Sequence, residues 1–450
     1  MFFGDDVRGA SIDEIADQII PQEEPCRCCH RKDDGPCTGL RIIFISLILL
    51  GKERNIIDLI RSTSPVCDAT ISLRPGQAQQ TQLETDNNQA ESQYVGATEI
   101  EPPEEDLFYH LQWQMRSPYF TARRQSSDGF PQLYEEISLP WVHLEKQCGD
   151  DLLGYSSVHR ISIHEHHHDL IGHGNDFALK VLDTNFNPVR IIAIKCFKKE
   201  ITSRTLHPHI TPILAAFEHK TKFYLLLPWA RGGNLQQLWV KYPNGFGTPE
   251  GLLHLPEHLD QWLVQQCYGI ADALAKVHGY SSLIQREDAS ENSKLHQDIK
   301  PENILCFTYE GRLSLSLTDF GNSQELDPDG TVDKARKIGC KTYRPPEYEH
   351  EKSKIGRSWD IWCLGCVYLE FITWAIDGWP GVKDFREKRF EEEDDDDVDE
   401  DSSIPVKEDA FFRKSKIKGR RKFFRKSRPR VIFELKRTVT SVSDLYAHCG

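Results

Sequence analysis

Apolar residues change their spacing several times along the chain, and each change marks a different element. Residues 42–50 are apolar except for Ser46, and the polar triplet Lys52, Glu53 and Arg54 follows as an exposed turn. The run falls short of the roughly 20 apolar residues a bilayer span needs, so it predicts a buried helix. Residues 74–106 are rich in Gln, Glu, Thr, Asn and Pro and bury little apolar surface, which predicts a linker. Aromatic residues return between Phe108 and Trp141 in a short ordered segment. From about residue 148 to 230 the pattern is strand-like, with β-type runs at 177–182 and 223–227. The period then lengthens: Leu259, Leu263, Cys267, Ile270, Leu274 and Val277 recur every three or four residues, as on an amphipathic helix. Leu313, Leu315 and Leu317 alternate with serines, a half-buried strand. The order is therefore a β-rich part followed by a helical part, an α+β arrangement without an internal repeat.

Composition sharpens the picture in three places. With 450 residues the chain is long enough for two or three domains. Its net charge of -14 argues against a protein that coats nucleic acid, yet residues 413–430 are densely basic and suit a polyanion. Residues 391–401 are almost wholly acidic, and each charged block repels itself, so both are expected to be solvated and disordered. Thirteen cysteines, an odd count, together with Asp5 and Asp6 in place of an apolar leader, predict reduced thiols in the cytoplasm or nucleus.

The candidate chemistry is concentrated in His296-Gln297-Asp298-Ile299-Lys300-Pro301-Glu302-Asn303, followed 21 residues after Asp298 by Asp319-Phe320-Gly321. The pair resembles the catalytic loop and metal-binding triplet of protein kinases. Phosphoryl transfer needs a carboxylate at the incoming hydroxyl and oxygen ligands on the magnesium that clamps the phosphates. The resemblance implies Asp298 as the base, Asn303 and Asp319 as metal ligands, and Lys300 as the neutraliser of charge on the moving group, in the serine/threonine pattern. Downstream, residues 342–347 (Thr-Tyr-Arg-Pro-Pro-Glu) resemble the end of a kinase activation segment. Residues 360–365 resemble the start of its long central helix, where the family's Asp, here Asp360, braces the catalytic loop.

Two lysines compete for the ATP phosphates, Lys180 in Phe177-Ala178-Leu179-Lys180 and Lys195 in Ile192-Ala193-Ile194-Lys195. The lysine sits on a strand and pairs with a Glu on the next helix, for which Glu200 is the candidate. Five residues from Lys195 cannot finish a strand, turn and enter a helix, whereas twenty from Lys180 can, so Lys180 is chosen. Residues 223–233 match a kinase hinge, with Leu227 at the gatekeeper position, the Pro228 carbonyl and Ala230 N–H facing adenine, and Val158, Ala178 and Leu305 around it. A proline lacks only the N–H, and that donor is not used at its position. The phosphate-covering loop departs from the family: residues 151–158 carry none of its three motif glycines. Gln297 stands where many kinases have the Arg that pairs with an activation-loop phosphate.

Within kinases the chain resembles kinase-like proteins of filamentous fungi, through residues 158–168, the hinge Leu227-Pro228-Trp229-Ala230 and the stretch 359–374. The resemblance implies a bilobal protein-kinase-like fold with an N-terminal helical extension and apparently truncated C-terminal helices. The expected divisions are 1–73 helical, 74–106 linker, 107–144 ordered lead-in, 145–230 small lobe, 231–390 large lobe, and 391–450 acidic then basic insert or tail. ATP, Mg and a protein substrate are the implied ligands, and no membrane span is expected. The rival expectation is a non-catalytic scaffold. Metal binding by His164, His166, His167 and His168, or by the cluster Cys26, Cys28, Cys29, His30 and Cys37, is not expected, because strand alternation splits the first set and the second lacks paired Cys-x2-Cys units.

Overall fold

In the computed structural model, which describes residues 41–52, 55–56, 102–121, 132–147, 156–170, 175–183, 207–245, 259–279, 293–309, 312–332, 339–349, 354–392, 409–417 and 430–447, the first apolar run is helix α1 (Arg41–Leu49). It buries Ile43, Ser46 and Leu47 but leaves Ile45, Ile48 and Leu49 exposed, so it is covered on one side and not all round as its composition suggested. Ser46 is tolerated inside because its hydroxyl donates to the Ile42 carbonyl at 2.8 Å. Helix α2 (Pro102–Gln114) begins inside the segment read as linker to residue 106. Its two leading prolines occupy the turn where backbone N–H groups have no helical partner anyway.

These helices belong to the first of two compact units, residues 1–121, 132–142 and 163–169. Its interior is aromatic. Phe108, Tyr109, Trp113 and Phe120 are buried, the Tyr109 hydroxyl donates to Glu136 at 2.8 Å, and Phe120 stacks on Trp141 at 5.7 Å. Phe120 N donates to the His167 carbonyl and its own carbonyl accepts from Asp169 N, at 2.9 and 3.0 Å. Residues Glu165–His167 form a 3-10 turn capped by the His164 imidazole, which accepts from His166 N at 3.2 Å. Among the described residues no cluster of His, Cys, Asp or Glu is arranged to hold a metal ion. Cys26 to Cys37 lie outside the described residues.

The second unit holds residues 122–131, 143–162 and 170–450. Strands β1 (Trp141–Gln147), β2 (Ser156–Ile163), β3 (Asp176–Asp183), β4 (Ala215–His219) and β5 (Lys222–Pro228) make one sheet in the order β1-β2-β3-β5-β4. Both β-type runs are thus strands. Antiparallel register sets Val158 opposite Lys180, Lys180 opposite Leu225, and Ala178 opposite Leu227. Since side chains alternate, these residues share one face of the sheet, while Phe177 and Leu179 pack into the other.

After the sheet come α3 (Leu235–Lys241) and α4 (Leu259–Val277). Then follow the short pair β6 (Lys294–Leu295) with β9 (Gln324–Glu325), and the hairpin β7 (Ile304–Tyr309) with β8 (Arg312–Leu317). Helix α4 buries Ile270, Leu274 and Val277 as its period predicts, leaves Leu263 and Cys267 half-buried, and buries Trp262 besides. It is tied to β8 by Trp262 Nε1–H donating to the Leu313 carbonyl and Leu315 N donating to Gln266, both at 2.8 Å. Strands β10 (Thr331–Val332) and β11 (Ile355–Gly356) pair just before α5 (Ser358–Glu391). Helix α5 breaks at Gly378, whose φ of 68° and approach to the Pro243 carbonyl leave no room for a side chain. By length and composition α5 could cross a membrane, but Trp359, Cys363, Val367, Phe371 and Trp374 lie in the protein core with Asp360 and Glu370.

The basic block required a correction. Its ends are ordered as β12 (Phe412–Ile417) paired with β13 (Arg430–Leu435), followed by α6 (Arg437–Ala447); residues 393–408 and 418–429 lie outside the described residues. The same region also supplies part of the cover for the central helix, where the resemblance implied truncated C-terminal helices. Phe411, Phe412 and Val439 are buried, and Phe411 and Val439 join the core around α5. Ile361 and Ile376 alone among the helix's large apolar residues before Gly378 are exposed. Glu392, just past α5, accepts from the Arg437 and Thr438 amides at 2.6 and 2.9 Å and so caps α6. Burial pulls its pKa up, but these amides outweigh it and hold the carboxyl below its ordinary value.

Candidate active site

Asp360 organises the loop. It is fully buried at the start of α5, and its Oδ2 accepts from His296 N and pairs with His278 Nε2, each at 2.8 Å, while Oδ1 accepts from Gln297 N at 2.8 Å. This is the brace expected of that residue. It holds Gln297 at φ 68°, a left-handed conformation that is costly for a non-glycine residue. The His296 ring packs on Phe320 at 4.7 Å and its Nε2 meets the Thr318 carbonyl at 3.0 Å, which joins the loop to the Asp-Phe-Gly turn.

Asp298 follows, nearly buried. Asn303 Nδ2 donates to the Asp298 carbonyl at 2.8 Å and to its carboxylate at 3.1 Å. Lys300 Nζ lies 3.2 Å from the same carboxylate oxygen. Burial depresses the Lys300 pKa, but the Asp298 carboxylate outweighs it, so the ammonium is held above its ordinary value and remains charged. On the facing sheet, Lys180 Nζ reaches Asp319 Oδ1 at 2.7 Å. Asp319 itself has φ 62° and accepts from Gly321 N at 3.3 Å. The sequence motifs thus converge: Asp298, Lys300 and Asn303 form one group, Lys180 and Asp319 another, and the ring contact from His296 to Phe320 joins them.

The remaining predicted residues lie on the sheet and on the turn that follows it. Val158, Ala178 and Leu227 share the sheet face that carries Lys180. Pro228 ends β5 opposite Phe177, and the Ala230 carbonyl accepts from Gly233 N at 3.0 Å. Leu305 bridges to Asn234 just beyond this turn. The close approach needs Gly232, where a Cβ would sit 2.7 Å from the Cys306 Cβ and carbonyl oxygen. Glu200, Lys195 and residues 151–155 lie outside the described residues.

Residues 170–380 match the family model described as the protein kinase domain. This stretch is a protein kinase domain. It is homologous to serine/threonine kinases. The chain is 27% identical over 203 residues to 3-phosphoinositide-dependent protein kinase 1 of Rattus norvegicus, covering 44% of this chain and 31% of that protein. It is 27% identical over 197 residues to Cyclin-dependent kinase-like 4 of Mus musculus, covering 44% and 48%. It is 32% identical over 176 residues to Aurora kinase B of Drosophila melanogaster, covering 39% and 44%. The chain spans less than half the length of each of these relatives.

The same stretch also holds neighbours of these residues that the sequence motifs do not mark. His278, at the end of α4, shares Asp360 with the loop. Glu370 accepts from the Tyr343 hydroxyl at 2.8 Å and from Arg386 and Arg389. Burial raises its pKa, but these donors outweigh it and keep the carboxyl below its ordinary value. A lone acid in the apolar run 363–375 was the available signal for Glu370; His278 had none.

Proposed function

We propose that the kinase domain transfers the γ-phosphoryl group of ATP to Ser or Thr of a protein substrate. The convergence of Asp298, Lys300 and Asn303 with Lys180 and Asp319 carries this reading. The donor set fits magnesium. Asn303 spends its NH2 on Asp298, which leaves its amide oxygen, beside the carboxylate of Asp319, as hard ligands. The bound ion would neutralise charge on the phosphates. Asp298 accepts the proton of the substrate hydroxyl, and Lys300, kept charged, compensates the group in transit. Lys180 binds the α/β-phosphates, with Glu200 as its partner. Val158, Ala178 and Leu305 enclose adenine, and the Pro228 carbonyl and Ala230 N–H orient it. The segment 158–168 and the hinge support the finer likeness to filamentous-fungal kinase-like proteins. Among the described residues the thiols of Cys267, Cys306, Cys340, Cys363 and Cys366 are free, which supports a reducing compartment, cytoplasmic or nuclear. Burial pushes the Cys267 thiol up to about 12, so it stays protonated and inert.

A radiolabelled-ATP assay on a generic basic protein tests the reading, with loss of transfer by roughly 10²-fold or more expected in Asp298→Asn. The missing glycines at 151–158 favour one rival, a nucleotide-binding scaffold. A Mg-ATP thermal shift without transfer would select it, and no shift at millimolar nucleotide would reject both.

A further inference from the structure

The segment 339–347 lies against the catalytic loop. A Cβ on Gly339 would stand 2.9 Å from the Gln297 carbonyl, one residue before Asp298. Arg344 Nη2 donates to the Gly339 carbonyl at 2.9 Å and closes the turn. Within it Tyr343 is buried and pinned three ways. Its hydroxyl donates to Glu370, its carbonyl accepts from Cys363 Sγ at 3.1 Å, and its ring lies 6.0 Å from Phe411.

Phe411 belongs to the C-terminal strand-pair region, and the contacts continue there. Arg389 is fully buried on the second half of α5. Its guanidinium lies over the rings of Phe385 and Phe411 at 4.3 and 4.0 Å. One of its nitrogens donates to Glu370 at 2.8 Å and another to Asp409 at 2.9 Å. The Lys436 ammonium donates to the Arg389 backbone carbonyl at 2.6 Å. A buried guanidinium needs both carboxylates, and the second comes from outside the residues that match the kinase family. These contacts end at Tyr343, in the turn whose Gly339 meets the Gln297 carbonyl, and not on the strand that carries Lys180.

We propose that residues 409–417 and 430–447 position the segment 339–347 of the kinase domain, through Asp409, Arg389 and Phe411, so that the C-terminal strand pair and helix serve the protein-substrate side of the reaction. This rests on the kinase reading for its catalytic consequence. Asp409 and Phe411 are positioning residues that act through Tyr343. Loosening them releases the segment that faces the acceptor while nucleotide contacts stay in place.

The test uses the full chain with Asp409→Asn, the conservative Asp409→Glu, and Phe411→Leu in case the first fails to fold. Amide hydrogen exchange across 339–349 is expected to speed up by roughly tenfold or more in Asp409→Asn and to recover in Asp409→Glu. The KM for the protein substrate should rise about fivefold or more, with the KM for ATP and kcat within about twofold. Exchange unchanged at 339–349 while it rises at 409–417 would overturn the proposal, as would equal effects on both substrates. If the wild-type chain transfers no phosphate, the kinase reading fails, and the exchange measurement still decides the positioning claim.

Discussion

Asp360→Asn is the sharpest probe of the loop. Three donors converge on the carboxylate, with His296 N and His278 Nε2 on one oxygen and Gln297 N on the other. An asparagine keeps one acceptor, which best serves the pair, and turns its own NH2 toward Gln297 N. One buried N–H then loses its partner, at about 1–3 kcal/mol, and two charge-assisted bonds become neutral ones, which together gives roughly 2–4 kcal/mol. That is a large share of a typical total of about 5–15 kcal/mol. At about 2–4 °C per kcal/mol for a domain of this size, the melting temperature should fall by roughly 5–15 °C. Freed from its brace, Gln297 should leave the left-handed region, which ordinarily costs about 1–3 kcal/mol, and carry Asp298 with it. Transfer should therefore drop at least about tenfold even at temperatures where the variant is folded. Thermal melts with and without Mg-ATP, beside the transfer assay, measure both effects. A melting temperature within about 1 °C of wild type, or a destabilised variant of full activity, would refute the brace.

Three further outcomes follow from the same geometry. Lys180→Met should lower phosphoryl transfer by roughly 10²-fold or more, since it removes the cation 2.7 Å from Asp319, while Lys195→Met should retain most activity; the opposite ranking in the transfer assay would reverse the choice of lysine. Gly232→Ala should destabilise by about 1–3 kcal/mol in denaturant titrations, because the new methyl meets Cys306 at 2.7 Å. Glu370 has a folded pKa below its ordinary value, so the unfolded chain binds its proton more tightly. Its contribution is complete above the unfolded value of about 4.3 and is lost as pH falls through the lower folded value. Melts across that acid range should therefore show a shallower pH dependence in Glu370→Gln than in wild type.

Much of the candidate site's geometry was legible because its residues sit in short, ordered motifs. The loop 296–303 and the triplet 319–321 fix their own local turns, and strand alternation then places Val158, Ala178 and Lys180 on one face. Helix α4 was readable from its period, since Ile270, Leu274 and Val277 fall on the buried side. The C-terminal region was not. Charge density at 413–430 predicts repulsion and solvation, yet the strand ends are pinned by residues outside that window: Phe412 packs with Phe433 at 5.7 Å, and Arg413 pairs with Glu434 at 3.1 Å. Such cross-strand neutralisation cannot be seen in a linear charge count. Nor does the sequence mark Phe411 and Val439 as the side chains that cover α5, because such contacts are made only in the tertiary fold.

The position of that cover constrains how the molecule is made. The apolar side of α5 is complete once Phe385 has been synthesised, but Phe411 and Val439, which join its core, are translated later. At about 5–20 residues per second, several seconds separate the helix from its last covering side chain. During that interval the nascent chain presents the same long apolar helix that by composition could enter a membrane. Faithful production of this protein should therefore depend on holdase chaperones at the ribosome, and a translational stall between residues 391 and 409 should divert the chain toward aggregation or degradation even though every residue of the kinase-family motifs has already been made.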